Sequence, residues 1–152
     1  MSREPRVLLI DDDENVRKTL ATVLEKKGYV VDTAETGNEA IQKSKANFYN
    51  LALVDIRLPD MEGTRLLTEM KETAPKMVKI ILTGYPSLEN AVEAVNKGAD
   101  GYIIKPFNMD NLLDVMKKHL EEQQEARIYT EQRVAEFVET RARELRTNMS
   151  HG

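Results

Sequence analysis

Five short apolar runs, spaced between longer stretches with helical periodicity, restrict this chain to very few folds. The runs are 7–10, 30–34, 51–54, 79–82 and 102–104. Each is about four or five residues long and most carry β-branched residues, as buried parallel strands do. Between them Val16, Leu20, Val23 and Leu24 share a helical face. So do Leu66, Leu67 and Met70, and then Leu88, Ala91, Val92 and Val95. Residues 39–47 carry a fainter helical pattern. Gly28, Gly63, Gly84 and Gly98, with Pro59, Pro75, Pro86 and Pro106, punctuate the joins. A βα unit repeated five times predicts a parallel sheet with helices on both faces and right-handed crossovers. In such a sheet, function sits beyond the carboxyl ends of the strands. At 152 residues the chain is long enough to bury about 70% of its unfolded surface in one core.

The strand ends carry the reactive residues. The first run ends in Asp11-Asp12-Asp13, the third in Asp55, the fourth in Thr83-Gly84 and the fifth in Lys105-Pro106. Parallel strands bring these ends to one rim. Clustered carboxylates repel one another and resist ionising. A hard divalent cation relieves that, and oxygen-only ligands suit Mg2+. The chain has no cysteine and only two histidines, His119 and His151. Disulfides, thiolate zinc sites and multi-histidine metal sites are thereby excluded. The lack of cysteine agrees with a cytoplasmic location. A carboxylate can act as a nucleophile and become an aspartyl phosphate. A cation, a lysine and a hydroxyl would then share the phosphoryl charge.

Taken in order, Ile10-Asp11-Asp12, Leu53-Val54-Asp55-Ile56-Arg57-Leu58-Pro59-Asp60-Met61-Glu62-Gly63, Thr83-Gly84 and Tyr102-Ile103-Ile104-Lys105-Pro106-Phe107 resemble the response-regulator receiver family. The resemblance covers about residues 5–120. It implies a flavodoxin-like (βα)5 fold, a doubly wound sheet of five parallel strands in the order 2-1-3-4-5 with the last helix extended. Asp55 would accept the phosphoryl group from the phosphohistidine of a sensor histidine kinase. Asp12, Asp55 and the backbone carbonyl of Arg57 would ligate Mg2+, with Asp11 acting through water or by orienting it. Lys105, Thr83 and the Gly84 amide would contact the phosphoryl group. Thr83 and Tyr102 would form a switch that repacks the surface of the fourth helix, fifth strand and fifth helix. The acyl phosphate would hydrolyse slowly, so the chain is expected to be a signalling phosphoacceptor rather than an enzyme. Arg57 and Tyr85, two residues after the aspartate and the threonine, are large and would hinder water.

Plainer roles compete for some of these residues. Asp11 and Asp12 could cap the first helix, although Asp13 or Glu14 suffices. Tyr102 could be a sheet-edge aromatic, Gly63 a tight-turn residue and His119 a surface or packing residue. Asp11-Asp12-Asp13 also resembles the start of the haloacid-dehalogenase phosphatases. That family's nucleophile would fall on Asp11, but Asn15 departs from its pattern. A phosphorelay intermediate is the nearer alternative. No Gly-x-Gly-x-x-Gly follows the first strand, which removes dinucleotide binding.

From Asn111 no glycine or proline interrupts the chain before Gly152, and residues 111–146 read as one helix. We divide the chain into a receiver domain, 1–120, and a helical extension, 121–152. Ile128, Ala135, Val138, Ala142, Leu145 and Met149 follow 3-4 spacing, with Glu131 interrupting. This stripe, or the fourth helix–fifth strand–fifth helix face, could hold a homodimer or an unidentified downstream protein. Arg127–Glu131 and Glu139–Arg143 are positioned to support the helix. The extension carries seven Glu and five Arg and has no basic face, so no nucleic-acid partner is expected. No apolar run is long enough for a membrane. Asn148-Met149-Ser150-His151 resembles the opening of a histidine-kinase phosphoacceptor box, but the match stops at Gly152.

Overall fold

A strand that is apolar at every position must be covered on both sides, and the first three-quarters of this chain is built to do that. Val7, Leu8, Leu9 and Ile10 are all fully buried, as are Leu51, Ala52, Leu53 and Val54. In the computed structural model, which describes residues 4–150, the order is β1 (Arg6–Ile10), α1 (Glu14–Lys26), β2 (Val30–Ala34), α2 (Gly37–Ala46), β3 (Leu51–Asp55), α3 (Gly63–Glu69), β4 (Val78–Thr83), α4 (Leu88–Asn96), β5 (Gly101–Ile104) and α5 (Met109–Ser150). The five strands are parallel in the order β2-β1-β3-β4-β5, as expected. Alternate residues serve opposite faces. Leu8, Ile10, Ala52, Val54 and Ile81 pack with Ala40, Leu66, Leu67 and Ala94 of α2, α3 and α4, and with Met70, which caps the end of α3. Val7, Leu9, Leu51, Leu53, Ile80 and Leu82 pack with Leu20, Leu24, Leu112 and Met116, from α1 and α5.

Local chemistry sets the helix ends. Asp13 caps α1, its carboxylate accepting from the amides of Asn15 (2.8 Å) and Val16 (3.1 Å). Asp11 and Asp12 are thereby free of that duty. Thr36 caps α2, and Ser87 and Asn90 form a reciprocal capping box on α4. Gly28 and Gly98 follow the ends of α1 and α4 with φ of +97° and +98°, the left-handed turn in which glycine is favoured. Residues 39–47, faint as a helix in sequence, lie almost wholly within α2. The Thr36 cap and the Glu39–Lys43 ion pair (3.1 Å) help supply what its few apolar residues do not.

The apolar stripe on α4 does not face the sheet. Leu88 is 83% exposed, Val95 66% and Val92 50%, while the buried residue of the helix is Ala94. Small residues let α4 lie close against the sheet, so its larger apolar side chains point outward. Beside them Tyr85 and Ile104 are also exposed.

α5 runs for 42 residues. Leu112 and Met116 bury its first turns. One turn past Leu120, Gln123 donates to the carbonyls of Asn50 (2.9 Å) and Lys76 (2.7 Å) and accepts from Asn50 Nδ2 (3.3 Å). From Gln124 to Asn148 every residue except Ala142 is exposed. The expected pairs are present, Arg127–Glu131 at 3.1 Å and Arg143–Glu139 at 2.6 Å. His119 is partly buried, with Nδ1 3.5 Å from Glu122. His151 lies outside the described residues. No helix among the described residues is long and apolar enough to cross a membrane.

Candidate functional site

The pairing register brings the carboxyl ends of β1, β3, β4 and β5 to one rim: Ile10 lies opposite Val54, Asp55 opposite Leu82 and Thr83 opposite Ile104. Asp11, Asp12 and Asp55 each place a carboxylate oxygen within 4.8 Å of the other two. Lys105 Nζ stands 3.1 Å from Asp11 Oδ2 and 3.9 Å from Asp55 Oδ2. The three acids and the lysine named from sequence thus form one cluster.

The acids differ in environment. Asp11 is buried, and its two oxygens accept from Lys105 Nζ and from the Asp13 amide (2.9 Å). Asp12 is exposed. Asp55 lies between, its side chain 15% exposed, accepting from the Arg57 amide at 3.2 Å. Burial pushes the Asp55 carboxyl above its ordinary range. The Arg57 amide and the Lys105 ammonium act against burial, and the charges of Asp11 and Asp12 add to it. A cation among these three carboxylates would relieve the penalty. The all-oxygen donor set fits a hard ion such as Mg2+.

Thr83, fully buried, ends β4, and its Oγ1 accepts from the Tyr85 amide at 2.9 Å. Its own proton can therefore be donated elsewhere. Gly84 follows, with nothing within 4 Å of where a Cβ would sit. The Lys105 amide donates to the Thr83 carbonyl (2.7 Å), and the Lys105-Pro106 peptide is cis. Tyr102, on β5, packs against the α2–α4 side of the core and hydrogen-bonds Asn90 Oδ1. The Arg57 guanidinium lies 4.1 Å from the centre of the Tyr85 ring, so the two large residues stack.

Several supporting residues carry no local signal in the sequence. Arg17 donates from Nη1 to the Asp11 carbonyl (2.8 Å) and pairs through Nη2 with Glu35 (3.2 Å). Asp60 ties the β3–α3 loop to α2 by accepting from the amides of Gly37 (2.8 Å) and Asn38 (2.9 Å); these bonds, Asn38's foremost, hold its carboxyl below the usual range. Asn90 is a third. Gly63 has a sharper duty than an ordinary turn. A Cβ there would meet the Asp55 carbonyl at 2.3 Å and the Ile56 Cα at 2.9 Å. Gly63→Ala must push the Asp55 backbone aside. It should cost about 1–3 kcal/mol in urea unfolding and slow any reaction of Asp55. Wild-type stability in the alanine variant would show that the loop yields freely.

Comparison with known proteins agrees with this geometry. Residues 7–117 match the family model of the response regulator receiver domain. The Regulatory protein AtoC of Escherichia coli (strain K12) is 36% identical over 116 residues, which is 76% of this chain and 25% of AtoC. This chain therefore spans about a quarter of that relative's length. Among solved structures, a CheY-like response regulator receiver domain protein from Methanospirillum hungatei JF-1 is 46% identical with a TM-score of 0.78, covering 81% of this chain and 98% of that one. The response regulator protein TrrA from Thermotoga maritima, solved in complex with Mg2+-BeF, is 35% identical with a TM-score of 0.67, covering 75% and 97%. Matched in sequence over most of its length and in fold throughout the βα repeat, this chain belongs to the response regulator receiver domain family of two-component signalling.

Proposed function

We propose that this protein takes a phosphoryl group onto Asp55 from the phosphohistidine of a sensor histidine kinase, in a Mg2+-dependent reaction, and signals through the surface beside α4. The observation that supports this best is the setting of Asp55: a half-buried carboxylate with Lys105 3.9 Å away and two further acids around it. Asp11 is less suited to attack because Lys105 and the Asp13 amide already hold both its oxygens. That argues against the phosphatase alternative.

In the transfer, an Asp55 oxygen forms the new P–O bond as the P–N bond breaks, and the electron pair returns to the imidazole. Lys105 and the Thr83 hydroxyl are placed to share charge on the phosphoryl oxygens, with the Gly84 amide beside them. Asp12, Asp55 and the Arg57 carbonyl would hold Mg2+ and Asp11 would orient its water, the ion supplying charge neutralisation. Such a kinase is charged in the cytoplasm, the compartment we assign.

Intact mass after exposure to acetyl phosphate and Mg2+ tests the reading. One added phosphoryl group per wild-type chain, and none in Asp55→Ala, is the expected result; no gain in wild type, from donor or kinase, would sink it. Sedimentation of the same samples reads the output. A phosphorylation-dependent shift makes the partner a second copy, through the α4 face or the stripe on α5. No shift leaves a different protein, or a relay histidine, as the partner.

Arg57 and Tyr85, two residues after Asp55 and Thr83, stack on one another, and in this reading the pair would obstruct water approaching the acyl phosphate. Changing both to alanine should shorten the phosphoryl half-life about tenfold, equivalent to about 1.4 kcal/mol of barrier. An unchanged half-life in a phosphate-release assay would show that the stack does not control water.

A further inference from the structure

The loop between β3 and α3 is closed on itself and then tied down at its tip. The Gly63 amide donates to the Ile56 carbonyl (2.7 Å) and the Leu58 amide to the Met61 carbonyl (3.2 Å), while Arg57 and Glu62 pair as an antiparallel bridge. Residues 56–63 therefore form one short, closed hairpin with Pro59-Asp60 at its tip. There the Asp60 carboxylate accepts from the first two amides of α2, Gly37 at 2.8 Å through Oδ1 and Asn38 at 2.9 Å through Oδ2. A helix leaves such amides without an internal partner, and its dipole favours a negative charge beside them. Met61 packs on the same spot. A Cβ on Gly37 would lie 2.4 Å from Met61 Sδ, so the missing side chain is what lets Met61 lie there.

We infer that Asp60 is a positioning residue for the metal site: by pinning the tip of the hairpin to α2, it fixes the Arg57 carbonyl at the hairpin's base. The inference rests on the assignment of that carbonyl to Mg2+ made above. Ile56 is still tied to the sheet, its amide donating to the Leu82 carbonyl at 3.3 Å. Arg57 lies one residue further on, so the direction of its carbonyl follows the hairpin. Its other printed contacts are an amide bond to Asp55 Oδ1 (3.2 Å) and a side chain stacked on Tyr85, and neither involves the carbonyl. The ties to α2 anchor the hairpin to a helix that is itself packed on the sheet through Ala40. A site that is complete only while the hairpin is docked binds its ion with an affinity reduced by the fraction of time it is docked. Asp60 touches neither metal nor reacting atom in this scheme.

Removing Asp60 also removes a charge and loosens α2, so the test needs a control for each. Mg2+ is the probe, titrated against amide NMR shifts of the full chain. Asp60→Ala should raise the Mg2+ midpoint about fivefold, as expected when the hairpin is docked for about a fifth of the time. At saturating Mg2+ its phosphorylation by acetyl phosphate should run within about twofold of the wild-type rate, because an ion that binds only the docked hairpin draws it back. Glu62→Gln takes the same charge from the same hairpin, and Glu62 makes no side-chain bond to the start of α3. Thr36→Ala removes the α2 cap bond to the Glu39 amide (3.1 Å) and leaves both Asp60 bonds in place. Both controls should keep the wild-type midpoint. An Asp60→Ala midpoint within about twofold of wild type would overturn the inference. So would an equal rise in Glu62→Gln, which would make the effect one of charge, or in Thr36→Ala, which would make it one of helix stability. If Asp60→Ala does not fold, Asp60→Asn decides by the same criterion, since its side chain keeps one acceptor oxygen for two amides. A wild type with no response to Mg2+ would overturn the metal reading and the inference together, whereas equal binding by wild type and Asp60→Ala would overturn the inference alone.

Discussion

Asp55→Asn is expected to abolish phosphoryl uptake and, at pH 7, to raise the melting temperature by about 3 °C. The first effect follows from removing the proposed nucleophile. The second follows from what surrounds it. Asp55 shares its site with two other carboxylates whose oxygens lie within 4.8 Å, and burial pushes its carboxyl up. An acid whose folded-state pKa is raised favours its neutral form in the fold. Its contribution is therefore most favourable below the unfolded pKa and is lost as pH rises through the folded value. The charged form of Asp55 is held in the fold at a cost, set first by burial, which the Arg57 amide and Lys105 only partly offset. Relief on the order of 1 kcal/mol shifts the midpoint of a chain this size by roughly 3 °C. Thermal melts of the two proteins should converge as pH is lowered through the carboxylate range. Mg2+ should stabilise wild type more than Asp55→Asn, because an ion that binds only the folded state adds to its stability. A variant less stable than wild type at pH 7 would show that Asp55 is held for its hydrogen bond with Arg57 rather than at an electrostatic cost.

Lys105→Met should move two quantities in opposite directions. Lys105 Nζ lies 3.1 Å from the Asp11 carboxylate and 3.9 Å from that of Asp55. Without it, in the proposed reaction, no other side chain of the cluster would offer the phosphoryl oxygens a positive charge, and Mg2+ alone would do so. Losing one such donor costs about 10²- to 10³-fold in rate, so phosphorylation by acetyl phosphate should slow by that amount. The same ammonium repels any second cation. Its removal leaves the three carboxylates with less neutralisation, and Mg2+ affinity should rise about tenfold. Stopped-flow phosphorylation and a metal titration read the two separately. If rate and affinity fell together, Lys105 would be holding the site's shape rather than supplying charge.

The sheet was legible because its physics is local. A run such as Leu51 to Val54 must be covered on both sides, and the punctuating glycines and prolines bound each unit. Once the strands are parallel, residues as far apart as Asp11, Asp55 and Lys105 are forced to one rim. The outward face of α4 was not legible. Leu88, Val92 and Val95 have the spacing of a helix that buries a stripe, and spacing does not say against what. Lys79 misleads in the opposite sense. It sits in an apolar run and is buried because its ammonium reaches the Leu67 carbonyl at the end of α3 (2.6 Å). Burial accordingly lowers its pKa. Arg17, Asn90 and Gln123 were missed for a related reason. Each acts through a hydrogen bond to a residue that only the finished fold brings near.

Gln123 also defines what the rest of α5 can do mechanically. Up to that residue the helix is tied to the sheet, and beyond it about 40 Å of rod extends to Ser150 at 1.5 Å per residue. A rod pivoting at its last tie converts angle into travel. A tilt of about 5° at Gln123, too small to disturb the packing of Leu112 and Met116, carries the far end through roughly 3.5 Å over that length. That displacement is sideways and is about a third of a helix diameter, so a change too slight to see within the sheet becomes a lateral shift of the tip.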